Sequence, residues 1–353
     1  MAGGAPHPET WLKVTPAGLF CAPGGFYIDP GRPVDRAVIS HGHSDHARPG
    51  HGKVLATVET LAIMAARMGV GGAGTPQVLP YNEKLEVNGV RLWLAPAGHV
   101  LGSAQVCLEW RGSRAVVSGD YKRQRDPTCA PFEVIPCDVF VTEATFALPV
   151  FTHPPPEQEV ARLLHSVALF PERTHVVGCY ALGKCQRLIR LLREAGWDRP
   201  VHLHGAQQKL CQLYEQLGVP LGPLANATVA NKSDMVGGIV LAPPSAVQDR
   251  WARRLVDPVV VAASGWMRVR QRAKMAGVEL PLVISDHADW GELNRTVDEV
   301  GAPEVWVTHG RDDALVHAMA LRGIRGRALH LVGLGDEAAE DALSDLPPAS
   351  AEA

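Results

Sequence analysis

The sequence has no Cys-x-x-Cys pair among its seven cysteines, and the nearest two are Cys179 and Cys185. An odd, scattered set of this kind reads as buried reduced thiols, not a disulfide framework. Long apolar runs are missing as well. The most hydrophobic stretches, such as Pro258 to Met267, are too short to span a bilayer. Met1 to Glu9 has no basic segment leading into an apolar one, so the expectation is no signal peptide, no membrane partner and a cytoplasmic location. Nor is there an excess of one charge, since 34 Lys and Arg against 37 Asp and Glu give a formal net charge of −3. Nucleic-acid binding would therefore need a local basic patch. No repeat of fixed period is visible. What remains is ordinary globular composition, 46% hydrophobic and 20% charged, in a chain of 353 residues that is long enough for two domains.

The first 150 residues are strand-rich, with short β-type runs at Arg36 to Ser40, Val90 to Ala95, Ala104 to Trp110 and Ala115 to Ser118. One helix interrupts them, Thr57 to Met68, with Leu61, Met64, Ala65 and Met68 expected on its buried stripe. Pro154-Pro155-Pro156 marks a break before a helix from Glu157 to Phe170. Then come βα alternations: Thr174 to Cys179 into Lys184 to Glu194, and Pro200 to His204 into Ala206 to Leu217. These read as a small parallel α/β module inserted in the chain. From Leu280 short strands return, at Pro281 to Ser285 and Glu304 to Thr308. From Asp336 the chain carries six acids and no Lys or Arg, the composition of a flexible tail.

The fifteen histidines are the odd feature. His41-Gly42-His43-Ser44-Asp45-His46 follows the apolar run Ala37 to Ser40. In extended chain, residues two apart face the same way, so His41 and His43 can address one metal, and Asp45 and His46, where the loop turns, a second. Imidazoles and carboxylates without thiolates suit zinc or manganese in a hydrolytic site. His99, in a loop between two strands, and Asp120, at a strand end, fall where a dinuclear site would want them.

With these residues assembled, the chain resembles the metallo-β-lactamase superfamily, through Asp29 in Phe26-Tyr-Ile-Asp29, the His41 to His46 motif, His99 and Asp120. The resemblance extends to its β-CASP nuclease branch through Glu143 in Val141 to Phe146, His287 in Ser285 to Asp289 and His309 in Val307 to Gly310. It runs from about residue 15 to 330. It implies an α/β fold, a metallo-β-lactamase αββα sandwich with an inserted small parallel α/β (β-CASP) domain. The divisions would be 1–174 and 276–335 for the sandwich, 175–275 for the insertion and 336–353 for the acidic flexible tail. Cys179 to Gln186, Ala263-Ser-Gly-Trp-Met267 and Ser285 to Trp290 are similar to the bacterial ligase-associated DNA exonucleases.

The resemblance implies two divalent metal ions, zinc first and manganese as the alternative. His41, His43, His99 and Asp120 would hold one, and Asp45, His46, His309 and a bridging Asp120 the other. Asp45, Asp120, Glu143 and His287 are the expected catalytic set, with His287 as general acid oriented by Glu143, while Asp29 fixes the metal-binding loop. A metal-dependent DNA exonuclease in repair follows, digesting 5′ to 3′ and associated with a DNA ligase or helicase. Histidine at position 309 is more typical of RNA-cleaving members, so a β-CASP ribonuclease in RNA processing is the alternative. A small-molecule hydrolase would not explain Glu143, His287 and the insertion, and a scaffold that has lost catalysis would not keep every ligand.

For substrate contacts, Ser264 and Gly265 are expected as a backbone nest for phosphate, with Arg268 and Arg270 behind them. Arg268, Arg270, Arg272 and Lys274 alternate, so a strand would line them on one face and a helix would spread them. Trp266 is a base-stacking or a buried residue, and Ala181 to Lys184 a helix start that could face an anion. His51, His153, His202 and His204 fall in no motif and read as structural.

Overall fold

The structure, a computed structural model, describes residues 4–69, 71–310 and 312–331. The expected acidic tail lies outside these residues. The chain begins with β1 (Leu12–Thr15), β2 (Gly18–Cys21), β3 (Phe26–Ile28), β4 (Arg36–Val38), β5 (Lys53–Ala56), helix α1 (Val58–Met68) and β6 (Thr75–Val78). These strands form one sheet in sequence order, antiparallel through β3 and parallel from there. β7 (Leu85–Val87), β8 (Val90–Pro96), β9 (Ala104–Trp110), β10 (Ser113–Val117) and β11 (Val139–Ala144) build a second sheet. After the insertion, α7 (Trp290–Val300), β18 (Glu304–Gly310), α8 (Asp312–Ala320) and β19 (Arg325–Ala328) complete it, with β18 parallel to β11.

The second sheet is buried on both faces, and its alternation shows how. Leu92, Leu94, Val106 and Leu108 meet the first sheet, while Trp93, Ala95, Cys107, Val116 and Phe140 pack with Leu293, Val297 and Leu315 of α7 and α8. With α1 on the outer side of the first sheet, the layers are α, β, β, α, as expected from the sequence. One detail of α1 differs. Ile63 is buried and Ala65 exposed, because the helix packs two ways: Leu61 and Met64 onto the first sheet, Ile63 into the core of the insertion. A single stripe of spacing three and four cannot report a helix wedged between two cores.

The insertion is a three-layer unit. After α2 (Pro156–Leu169) come β12 (Thr174–Gly178), α3 (Lys184–Glu194), β13 (Val201–Leu203), α4 (Gly205–Gln216), β14 (Leu224–Asn226), β15 (Ile239–Ala242), α5 (Pro244–Gln248), β16 (Pro258–Ala263), α6 (Arg270–Met275) and β17 (Leu280–Leu282). The six strands are all parallel, in the order β14-β13-β15-β12-β16-β17. The sheet reaches past the expected boundary at 275, and α2 lends Val160, Leu163 and Val167 to its core although it precedes 175. The expected strand Pro281 to Ser285 is cut short at Leu282. Ser285 to Asp289 instead form a loop held by side chains from other elements. No helix among the described residues is long and apolar enough to cross a membrane.

Candidate metal centre

The site lies on the crest of the sandwich, where β3, β4, β10, β11 and β18 end. Asp29, just past β3, adopts a left-handed φ of 42° that Asp tolerates better than most residues. There its carboxylate accepts from Ser40 N at 2.7 Å, Ser40 Oγ at 2.5 Å and His46 Nδ1 at 2.8 Å. A turn closed by Ala47 N donating to His43 O folds the motif back on itself. Asp120 follows Gly119, whose φ is 57° and where a Cβ would stand 2.8 Å from Ser40 Cβ. Only glycine lets the two motifs approach this closely.

Hydrogen bonds fix which ring nitrogens face the centre. His99 Nδ1 lies 2.9 Å from Asp286 O and His43 Nε2 3.4 Å from Leu182 O. A carbonyl only accepts, so both nitrogens carry protons. Ser40 Oγ donates to Asp29 and so accepts from His41 Nδ1 at 3.0 Å. The bare lone pairs of His41 Nε2, His43 Nδ1 and His99 Nε2 then converge, 3.2 and 2.9 Å apart along the chain of three. Three lone pairs aimed at one point repel unless a cation sits among them. Asp120 Oδ2 completes the group, 3.4 Å from His41 Nε2 and 3.9 Å from His99 Nε2. The same oxygen is 3.3 Å from His46 Nε2, which joins Asp45 and His309 in a second group. His46 Nε2, Asp45 Oδ1 and both His309 ring nitrogens are buried with no hydrogen-bond partner among the described residues. The donor set fits two divalent cations that share Asp120.

The electrostatics agree. Burial, then the neighbouring histidines, drives His41 well below the usual imidazole range and His99 down to about 3, so both stay neutral. Burial alone would lower His46 too, but Asp120 and Asp45 outweigh it and draw positive charge to that ring. Burial would raise Asp120, yet His46 and His287 hold it ionised, well below the carboxylate range.

Beside these groups stands a separate pair. His287 Nδ1 is 2.9 Å from Glu143 Oε2, and Glu143 Oε1 accepts from Tyr121 N at 2.8 Å. Phe146 stands edge-on to His287 at 6.2 Å and packs on Trp266 at 4.8 Å, so the site continues into an aromatic wall.

The expected phosphate nest does not form at Ser264-Gly265. Ser264 N donates to Leu282 O and Trp266 N to Ser264 Oγ, which leaves no pair of free amides. Gly265 is there for space, since a Cβ would stand 2.5 Å from Phe146. The alternating cations are helical: Arg268 ends a 3-10 turn and Arg270 opens α6, so they spread around it. Arg272 covers Trp266 at 4.1 Å. The start of α3 is closed to an anion by Gln186, which accepts from Gly183 N. His153 lies against Phe146, and burial holds it neutral, down to about 2. His51 accepts from Val34 N, His202 sits in β13 and His204 caps α4.

The sequence reading missed four buried charges beside the site: Lys122, Lys184, Arg187 and Asp286. Lys184 and Asp286 lie inside segments singled out above. Their pairing joins residues far apart in sequence, so no local pattern announces it.

No family model matches the chain. A probable DNA ligase of Opitutus terrae is 29% identical over 320 residues, 88% of this chain and 30% of the relative. Endoribonuclease ysh1 of Aspergillus fumigatus is 31% identical over 152 residues, 40% of this chain and 17% of the relative. Cleavage and polyadenylation specificity factor subunit 3-I of Arabidopsis thaliana is 23% identical over 292 residues, 68% and 42%. These relatives join the fold and the histidine–aspartate groups in one assignment. The chain is similar to nucleases of the β-CASP branch of the metallo-β-lactamase superfamily, and its histidine–aspartate groups fit a metal site of that kind. The chain spans less than half the length of each of those relatives.

Proposed function

We propose that the protein is a metal-dependent nuclease that hydrolyses phosphodiester bonds in DNA as an exonuclease. The observation that carries this reading is the pairing of two ligand groups sharing Asp120 with a separate Glu143–His287 dyad at their edge. Bound divalent ions, zinc by the donor set, would polarise water and offset phosphate charge. His41, His43, His99 and Asp120 would hold one ion, and Asp45, His46, His309 and Asp120 the other, with Asp29 keeping His46 in its ligating tautomer. Glu143 accepts the Nδ1 proton of His287 and balances the charge of the doubly protonated ring, whose second proton, on Nε2, goes to the departing sugar oxygen. One water is consumed per cut. Its hydroxyl ends on phosphorus, and its proton replaces the one His287 gives up.

A match covering 88% of this chain is to a protein named as a probable DNA ligase, which supports DNA as substrate and a ligase as partner. His309 and the matches to proteins named as endoribonucleases support the second reading, RNA cleavage. Matched single strands of DNA and RNA, labelled at either end, decide between them in the presence of zinc, manganese or magnesium, with Asp45→Ala as control. Metal-dependent release of nucleotides from DNA with RNA intact is the expected result, and the labelled end gives the polarity. Preferred cutting of RNA moves the protein to RNA processing, and no cutting of either refutes the nuclease reading.

A further inference from the structure

The loop Ser285 to Asp289 carries His287 yet has no sheet or helix ladder of its own. Charges from elsewhere hold its backbone. Lys122 Nζ donates to His287 O at 2.9 Å and to Glu292 Oε2 at 2.8 Å. The sandwich also holds it through Ala288 N, which donates to Tyr121 O at 2.7 Å, and further anchors come from the inserted unit, on the first turn of α3. Lys184 Nζ lies 3.2 Å from Asp286 Oδ1, with both side chains almost wholly buried. Arg187 donates through NH1 to Ser285 O, and its Nε faces Asp126 Oδ2 at 3.7 Å. Leu182, just before that turn, offers its carbonyl to His43, and Asp286 offers its own to His99.

A buried ion pair is poor value as a stabiliser, because desolvation cancels most of its attraction and apolar residues would pack as well. Arg187 makes the point sharply, since its Nε and NH2 are buried with no hydrogen-bond partner among the described residues. What these charges do supply is direction. They reach across from the insertion and hold the two residues before His287, Arg187 by a hydrogen bond to Ser285 O and Lys184 by a buried ion pair with Asp286.

We propose that Lys184 and Arg187 are positioning residues for His287, through which the inserted unit sets the pose of the general acid. The proposal rests on the nuclease reading above and adds to it that the acid depends on α3 being seated. A general acid matters only when the leaving group needs a proton, and that gives the test. Single-turnover rates are measured at saturating metal on two substrates: the oligonucleotide that the wild type cuts, and bis(p-nitrophenyl) phosphate, whose p-nitrophenolate departs unprotonated.

Lys184→Met and Arg187→Met are expected to slow the oligonucleotide reaction about 10–100-fold, the scale of a misplaced catalytic group. They should leave the activated ester's rate unchanged, and Lys184→Arg should recover most of the loss. His287→Ala is run beside them and is expected to show the same split more strongly. Equal losses on both substrates, or no loss on either, overturn the proposal. If His287→Ala itself loses both rates equally, the acid assignment fails and the proposal falls with it. If His287→Ala shows the split and the α3 variants do not, the proposal alone is wrong. Thermal melts confirm folding, and should Lys184→Met not fold, Arg187→Lys, which keeps the charge but shortens the reach to Ser285 O, carries the test alone.

Discussion

Replacing Asp29 by Asn tests the ligand geometry without touching a ligand. The backbone should not object, because Asn accepts a positive φ as readily as Asp. What changes is one edge of the carboxylate. Asp29 takes three hydrogen bonds, two from Ser40 and one from His46 Nδ1. An amide can serve Ser40 N with its oxygen, but its NH2 then meets the two groups that donated to Oδ2. His46 is forced toward the other tautomer, with its proton on Nε2 where the lone pair should face Asp120 and Asp45. Loss of a charge-assisted hydrogen bond is worth about 1.5–3 kcal/mol. That agrees with the 10–100-fold loss of metal affinity typical when a ligand loses its orienting partner. The group of His41, His43 and His99 should be disturbed less, since backbone carbonyls orient His43 and His99 and only His41 depends on Asp29, indirectly through Ser40 Oγ. Zinc titration against a competing chelator should therefore show one ion held nearly as in the wild type and the second weakened about 10–100-fold. Two ions bound with unchanged affinity would refute both the tautomer argument and the assignment of His46 to the second ion.

Three further outcomes follow from the packing. His175 is buried in β12, and burial, then Arg173, lowers its pKa to about 4. The unfolded chain therefore takes up a proton near pH 6.5 that the folded chain refuses until about pH 4. This histidine's contribution is full above pH 6.5 and falls by about 2–3 kcal/mol as pH drops to about 4. In denaturant melts at pH 7 and pH 4.5, His175→Gln should lose less stability than the wild type; identical losses would contradict the assignment. Lys122→Met leaves Glu292 buried without its cation and should cost about 3–5 kcal/mol by urea denaturation; a cost under 1 kcal/mol would mean that water reaches Glu292. Ile63→Ala should cost about 2–5 kcal/mol while Ala65→Glu changes little, and the reverse order in thermal melts would restore the single-stripe reading of α1.

Much of the site was readable in the chain because it is built from short local signals. Three histidines and an aspartate in six residues at a strand end already imply a metal. His99, Asp120, Glu143, His287 and His309 each sit at the end of a strand or in the loop beyond it, and strand ends can be recognised from composition. The layered fold was readable for a similar reason, since fully buried strands such as β15 are continuous apolar runs. Contacts between units were not readable. Ile63 joined a second core, Arg268 to Lys274 became helical, and Ser264 spent its amide on β17. The buried charges Lys184, Arg187 and Asp286 gained their partners only where the insertion meets the sandwich, and Lys122 only where the returning segment at α7 packs beside it. A sequence pattern reports how each element presents one face to water. Which charge is taken out of water, and against which partner, depends on which segments distant in the chain are packed together, and only the tertiary structure decides that.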